Sequence, residues 1–242
     1  MSAPQRPSTT AQLPLRLRYP PDQRFDSFVG APPGALEQLH ALAGGGGDWL
    51  YLLGPSGGGK THLALATCAA AEEHGRSASY LPLIAAAGRL REALEALEGH
   101  DLIALDGMEA IAGNRDDEIA LFDFHNRARG GGHSVLLYTA RTAPDALPLV
   151  LPDLRSRLGQ CARIVLPSLD DNARRDILRD RARRRGLSLD DAAIAWLLTR
   201  TGRDINELLA TLDILDRESL AAKRQITVPF LRHVLGADRL PS

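Results

Sequence analysis

"LLGPSGGGKTHLALA", residues 52–66, is the stretch from which the rest of this chain can be read. Gly54 is followed by Pro55, Ser56, Gly57 and Gly58, and then by Gly59, Lys60 and Thr61. An apolar run precedes the segment and an apolar-faced helical pattern follows it, which is the context a phosphate-binding loop requires. Glycines let successive backbone N–H groups turn inward around phosphate oxygens, and the helix opening at Lys60 and His62 adds its positive end. Lys60 is placed to reach the β- and γ-phosphates. The Thr61 hydroxyl is placed for Mg²⁺.

Outward from this loop, the chain alternates short apolar runs with longer amphipathic segments. WLYLLG (49–54), SASYLPL (77–83), DLIALD (101–106), SVLLYTA (134–140) and ARIVLP (162–167) have the length and composition of buried strands. Helical spacing runs from Gly34 to Ala43, Thr61 to His74 and Asp117 to Arg129. Strands alternating with helices predict an α/β fold, a parallel sheet with helices on both faces. After Pro167 only helical patterns remain: Asp170 to Arg185, Asp190 to Arg200, Ile205 to Ala222 and Pro229 to Leu235. Asp170, Asp190 and Thr227 stand where N-caps are expected. The expected domains are a leader over 1–20, a nucleotide-binding α/β domain over 21–167, a small helical domain over 168–236 and a tail over 237–242.

Composition agrees with such a globule. The 242 residues are 44% hydrophobic and 24% charged, with a net charge of −1, so the overall balance does not announce a nucleic-acid binder. Cys68 and Cys161 sit in apolar runs far apart, as reduced buried thiols of a cytoplasmic protein do. No apolar stretch reaches the roughly 18 residues that span a bilayer, and the N-terminus lacks the design of a secretion signal.

A second chemical signal is Asp106, which ends the apolar run of "DLIALDGMEAI" (101–111). A carboxylate at the end of a buried strand beside a phosphate loop suits a Mg²⁺-water ligand. Hydrolases of this build follow it with a second acid that polarises the attacking water. Here Gly107 takes that place, and the next acid is Glu109.

The order "RFDSFVG" (24–30), "GPSGGGKTH" (54–62), "LIALDGMEAI" (102–111), "VLLYTARTAP" (135–144), "LPDLRSRL" (151–158) and "ITVPFLRHVL" (226–235) resembles the AAA+ module of the DnaA-related ATPases. It is most similar to the Hda-type regulatory inactivators of DnaA. The resemblance covers residues 12–235. It implies a five-stranded parallel sheet followed by an α-helical lid, with ADP or ATP and Mg²⁺ between the two. It also implies an arginine finger offered in trans from "LRSRL", where Arg155 and Arg157 both stand and the pattern favours Arg157. Read from the residues alone, these are surface arginines favourable to a helix end. Thr139 matches a polar γ-phosphate sensor. In "TGRDINELL" the position of a lid arginine is held by Asn206; either Arg203, one turn earlier, substitutes for it or the contact is lost. With Gly107, this departure suggests a nucleotide held as a structural ligand.

The leader then acquires a reading. "QLPLRL" (12–17) resembles the extended peptide that docks replication proteins on the β sliding clamp of DNA polymerase III. Gln12 would be the polar anchor, with Leu13, Leu15 and Leu17 filling an apolar groove. An edge strand packing back on the domain is the alternative. The seven arginines from Arg174 to Arg185 alternate with Asp176 and Asp180, the pattern of a solvated helix face, with weak DNA-backbone contact the other reading. No helix-turn-helix domain fits after the last helix. The expectation is a negative regulator of replication initiation with DnaA and the clamp as partners, no membrane, and homo-oligomerisation open. The rival is an autonomous ATPase that loads helicases or remodels DNA. An adaptor that binds without stimulating hydrolysis is a third reading.

Overall fold

Leu50–Leu53 (β1) lies inside a five-stranded sheet of order β2-β3-β4-β1-β5. The other strands are Ala78–Pro82 (β2), Leu102–Asp106 (β3), Val135–Ala140 (β4) and Ala162–Val165 (β5), and every pairing is parallel. This is the predicted sheet, seen in a computed structural model that describes residues 23–200, 205–222 and 226–236. The clamp-peptide residues 12–17 and Arg203 lie outside the described residues.

Alternate side chains divide the sheet into two cores, as the two-residue period of a strand requires. Tyr51, Ile103, Leu105, Leu136 and Tyr138 face Leu90–Glu95 (α4), Arg115–Gly131 (α5) and Pro152–Gly159 (α6). Leu50, Leu52, Leu102, Ala104 and Leu137 face Ala35–Ala43 (α1) and Lys60–Glu73 (α2). Small residues on α2, Ala64, Cys68 and Ala71, are fully buried and let that helix lie close to the sheet. A short helix, Leu83–Ala86 (α3), leads from β2 and is separated from α4 by Gly88, whose φ of 81° ends it.

The helical domain has a core of its own. Asp171–Arg184 (α7), Asp191–Arg200 (α8), Ile205–Ala222 (α9) and Val228–Leu235 (α10) bury Leu178, Ile194, Leu197, Leu208, Leu215 and Leu231 together. Asp170 and Asp190 accept N–H bonds from Ala173 and Ala193, at 2.7 and 2.6 Å. Thr227 flanks α10 without a side-chain cap, and Pro229 sits in that helix's first turn. Most arginines of α7 are paired on the surface: Arg174 with Asp171, Arg179 with Asp176 and Asp191, Arg183 and Arg184 with Asp180. Both cysteines are buried. Among the described residues no helix is long and apolar enough to cross a membrane.

Candidate nucleotide-binding cleft

Between β1 and α2 the chain makes the turn that the glycines foretell. Gly59 has φ 88°, and a Cβ there would strike the Phe28 ring; a Cβ on Gly54 would come within 2.7 Å of the Leu166 carbonyl oxygen. The loop is thus pressed between the 24–28 segment and the end of β5, in a shape side chains would fill. Lys60 folds its ammonium over the loop, donating to the carbonyls of Gly54 and Pro55 at 2.7 and 2.8 Å. Burial lowers the Lys60 pKa, while the charges of Glu109 and Asp106 act in the opposite direction.

Asp106 is the centre of a hydroxyl cluster. Thr61 and Tyr80 donate to Oδ2 at 2.8 and 2.7 Å, and Thr139 donates to Oδ1. The Thr139 oxygen also accepts the Gly107 N–H at 2.9 Å, and the residue is fully buried beneath Asp106. Arg141, two residues further along, is the one that reaches the cleft wall. Burial, then the bond to Asp106, pushes the Tyr80 phenol well above its ordinary range.

Glu109 also comes into the cleft. The 3-10 turn Met108–Ala110 folds back on Gly107, whose φ is 85°. Glu109 Oε1 accepts the Arg141 N–H and lies 3.6 Å from the Arg141 guanidinium. Glu109 Oε2 is 4.0 Å from where a Cβ on Gly107 would stand.

The helical domain closes the other side. The cleft has a volume of about 720 Å³, within the ordinary range for a small-molecule site. From that domain it is lined by Leu169, Ile177, Ile205 and Leu209, with Arg181 as the charged contribution among the described residues. Arg181 is 6% exposed, and its guanidinium approaches His62 Nδ1 at 3.3 Å. His62 Nε2 in turn bonds the Arg24 carbonyl at 2.8 Å. An apolar wall suits a base, while the glycine loop and Lys60 suit phosphates. The Thr61 and Asp106 oxygens suit a hard divalent cation. No cluster of three or more His, Cys, Asp or Glu able to hold a metal exists among the described residues, so phosphate and water would complete such a cation's shell.

Arg157 lies elsewhere. It is exposed on α6, beside Asp48, Trp49, His125 and Arg129. Trp49 precedes β1 and Gly54 follows it, so the two ends are about 16 Å apart at some 3.3 Å per residue. Arg157 therefore stands near the end of β1 opposite the phosphate loop. Arg155 points differently: its guanidinium donates to the Leu149 carbonyl, and its Nε is buried without a hydrogen-bond partner. Asn206 is part of α9. The residues not singled out from sequence are Tyr80, Arg141 and Arg181. Arg181 alone carried a readable signal, four residues after Ile177 on the apolar face of α7.

Residues 171–235 match the family described as "Hda, lid domain". The chain superposes on domain III of the replication initiation protein DnaA from Thermotoga maritima with a TM-score of 0.75. The two are 19% identical, with 92% of this chain and 99% of that one covered. AMPPCP-bound DnaA from Aquifex aeolicus gives 0.67 at 20% identity, covering 85% of this chain and 70% of that one. The RuvB Holliday junction branch migration motor of Thermotoga maritima gives 0.63 at 18%, with 88% and 71% covered. The fold is that of an AAA+ module followed by a helical lid.

Proposed function

We propose that this chain, an Hda-type lid on a DnaA-like AAA+ module, is a negative regulator of replication initiation acting on DnaA. It holds ADP or ATP with Mg²⁺ through residues 54–62 and Asp106. Residues 12–17 dock on the β sliding clamp. Arg157 is offered to ATP bound by a neighbouring DnaA protomer. Hydrolysis there leaves the initiator in its ADP form, so that a clamp already loaded suppresses a new round of initiation.

The observation that carries the trans role is the placement of Arg157. It is exposed beside Trp49, at the opposite end of β1 from the chain's own phosphate loop, which supports a role on another subunit's nucleotide. Arg155, committed to the Leu149 carbonyl, does not compete for the role. A guanidinium placed against charge developing on a transferring phosphoryl group is worth about 10³–10⁵ in rate.

The test is hydrolysis of ATP pre-bound to the cognate DnaA, with clamp loaded on DNA, on adding the native protein or its Arg157→Ala form. The expected result is clamp-dependent stimulation that the variant loses and that Leu15→Ala weakens. Equal stimulation by native and Arg157→Ala proteins would remove the finger. Binding to DnaA and clamp without any stimulation would leave an adaptor. Rapid turnover by the protein itself together with no stimulation of DnaA would favour the motor reading.

A further inference from the structure

We propose that Glu109 is the water-polarising acid of this chain's own nucleotide site, set two residues beyond the place where the sequence carries Gly107. The inference rests on the nucleotide reading of the cleft and is independent of the role given to Arg157.

Three observations place the carboxylate. The turn Met108–Ala110 is closed by the Ala110 N–H on the Gly107 carbonyl at 3.0 Å, which swings Glu109 back toward β3. Glu109 Oε2 then lies 4.0 Å from the position of a residue-107 Cβ, so it fills space that a longer side chain at 107 would enter. Gly107, at φ 85°, permits this path where other residues would be strained. The two oxygens also have separate duties. Oε1 is fixed by the Arg141 N–H and guanidinium, while Oε2 lies on the Gly107 side, and the residue lines the cleft. A carboxylate anchored through one oxygen presents the other with little freedom to lose. Glu109 and Lys60 line the same cleft.

The step is hydrolysis of ATP in cis. A water hydrogen-bonded to Glu109 Oε2 attacks the γ-phosphorus as the bond to the β,γ-bridging oxygen breaks. One water proton passes to Glu109 and on to an oxygen of the released inorganic phosphate. The bridging oxygen leaves as the terminal oxygen of ADP. No reactant beyond ATP and water is needed.

The experiment compares native and Glu109→Gln proteins, without DnaA, in two assays. The first is single-turnover hydrolysis of bound ATP. The second is retention of ADP with aluminium fluoride, a mimic of the transferring phosphoryl group, against retention of ADP alone. The glutamine keeps size and polarity, and ATP affinity verifies that the cleft is intact. Loss of a positioned general base costs about 10²-fold or more. The expected variant binds ATP as the native protein does, hydrolyses it about 10²-fold more slowly, and loses the extra retention given by aluminium fluoride. Equal rates in the two proteins, or ATP bound natively and never hydrolysed, would overturn the role of Glu109 alone. Failure of the native protein to bind ATP would overturn the nucleotide reading with it.

Discussion

Glu118 and Leu151 are joined at 2.7 Å: the carboxylate Oε2 on the first turn of α5 accepts the N–H of the residue that precedes α6. The other oxygen accepts the N–H groups of Gly113 and Val150, at 2.8 and 3.1 Å, and the side chain is fully buried. One carboxylate thereby sets where the helix bearing Arg157 begins. Replacing Glu118 with alanine leaves three part-buried N–H groups without their acceptor. A single such loss costs about 1–3 kcal/mol, so the variant should lose at least about 2 kcal/mol in urea denaturation. DnaA-bound ATP hydrolysis should also fall although Arg157 is retained. An unchanged urea midpoint would show that these contacts are replaced by others.

His125 makes a pH dependence calculable. Burial first, then the charges of Arg157 and Arg129, pushes its pKa from 6.5 to about 4. The faces around it are Trp49, 4.7 Å away between ring centres, and the Tyr138 hydroxyl at 2.9 Å, with Cys161 lining the same small pocket. The folded state resists the proton that the unfolded chain accepts. Stability from this residue is therefore complete above about pH 6.5 and drains away as pH falls toward 4. The integrated loss is about 3 kcal/mol, at some 1.4 kcal/mol per unit. Urea midpoints at pH 7 and pH 4.5 should converge in a His125→Gln variant more than in the native protein. An equal pH slope in both would remove His125 from the account.

The P-loop was legible because everything it needs is local. A strand, six small or polar residues and a helix start lie within 15 residues, and the glycine conformations at Gly57 and Gly59 agree with the motif. The hydroxyls around Asp106 were less so. Thr139 meets Asp106 only because β3 and β4 pair with Leu105 beside Tyr138, a register that no run of residues states. Glu109 turned on the path of one tight turn. Arg181 was hidden in an arginine-rich run most of whose other members pair with nearby aspartates, so composition masked its burial.

Gly59→Ala tests the packing of the phosphate loop. The new Cβ would meet the Phe28 ring and would hold φ near 88°, in the left-handed region. The backbone penalty alone is about 1–2 kcal/mol, and the clash adds to it. We expect a lower melting temperature and weak ADP binding. Adding Phe28→Ala should return the part due to the clash and leave the part due to φ. If the double variant is no more stable than the single, the Phe28 contact yields without cost.

His62 links the lid to the segment that follows the leader. Its Nε2 bonds the Arg24 carbonyl, which can only accept, so that nitrogen carries the proton and Nδ1 is the bare acceptor that receives Arg181. Phe28 packs edge-on against the same ring at 5.2 Å, and Arg184, one turn beyond Arg181, reaches Asp26 at 3.5 Å. Helix α7 is therefore fastened to residues 24–28 at two points, and His62 belongs to one of them. His62→Phe keeps the ring packing and removes both nitrogens, at a cost of about 1–2 kcal/mol. Amide exchange in α7 should quicken while exchange in β1 and β4 stays as it was, since those strands are held by other contacts. ADP should also dissociate faster, because the lid wall formed by Leu169 and Ile177 is no longer fixed over the loop. Unchanged exchange in α7 would mean that Arg184 and the apolar contacts suffice to seat the lid, and that His62 serves only the 24–28 segment.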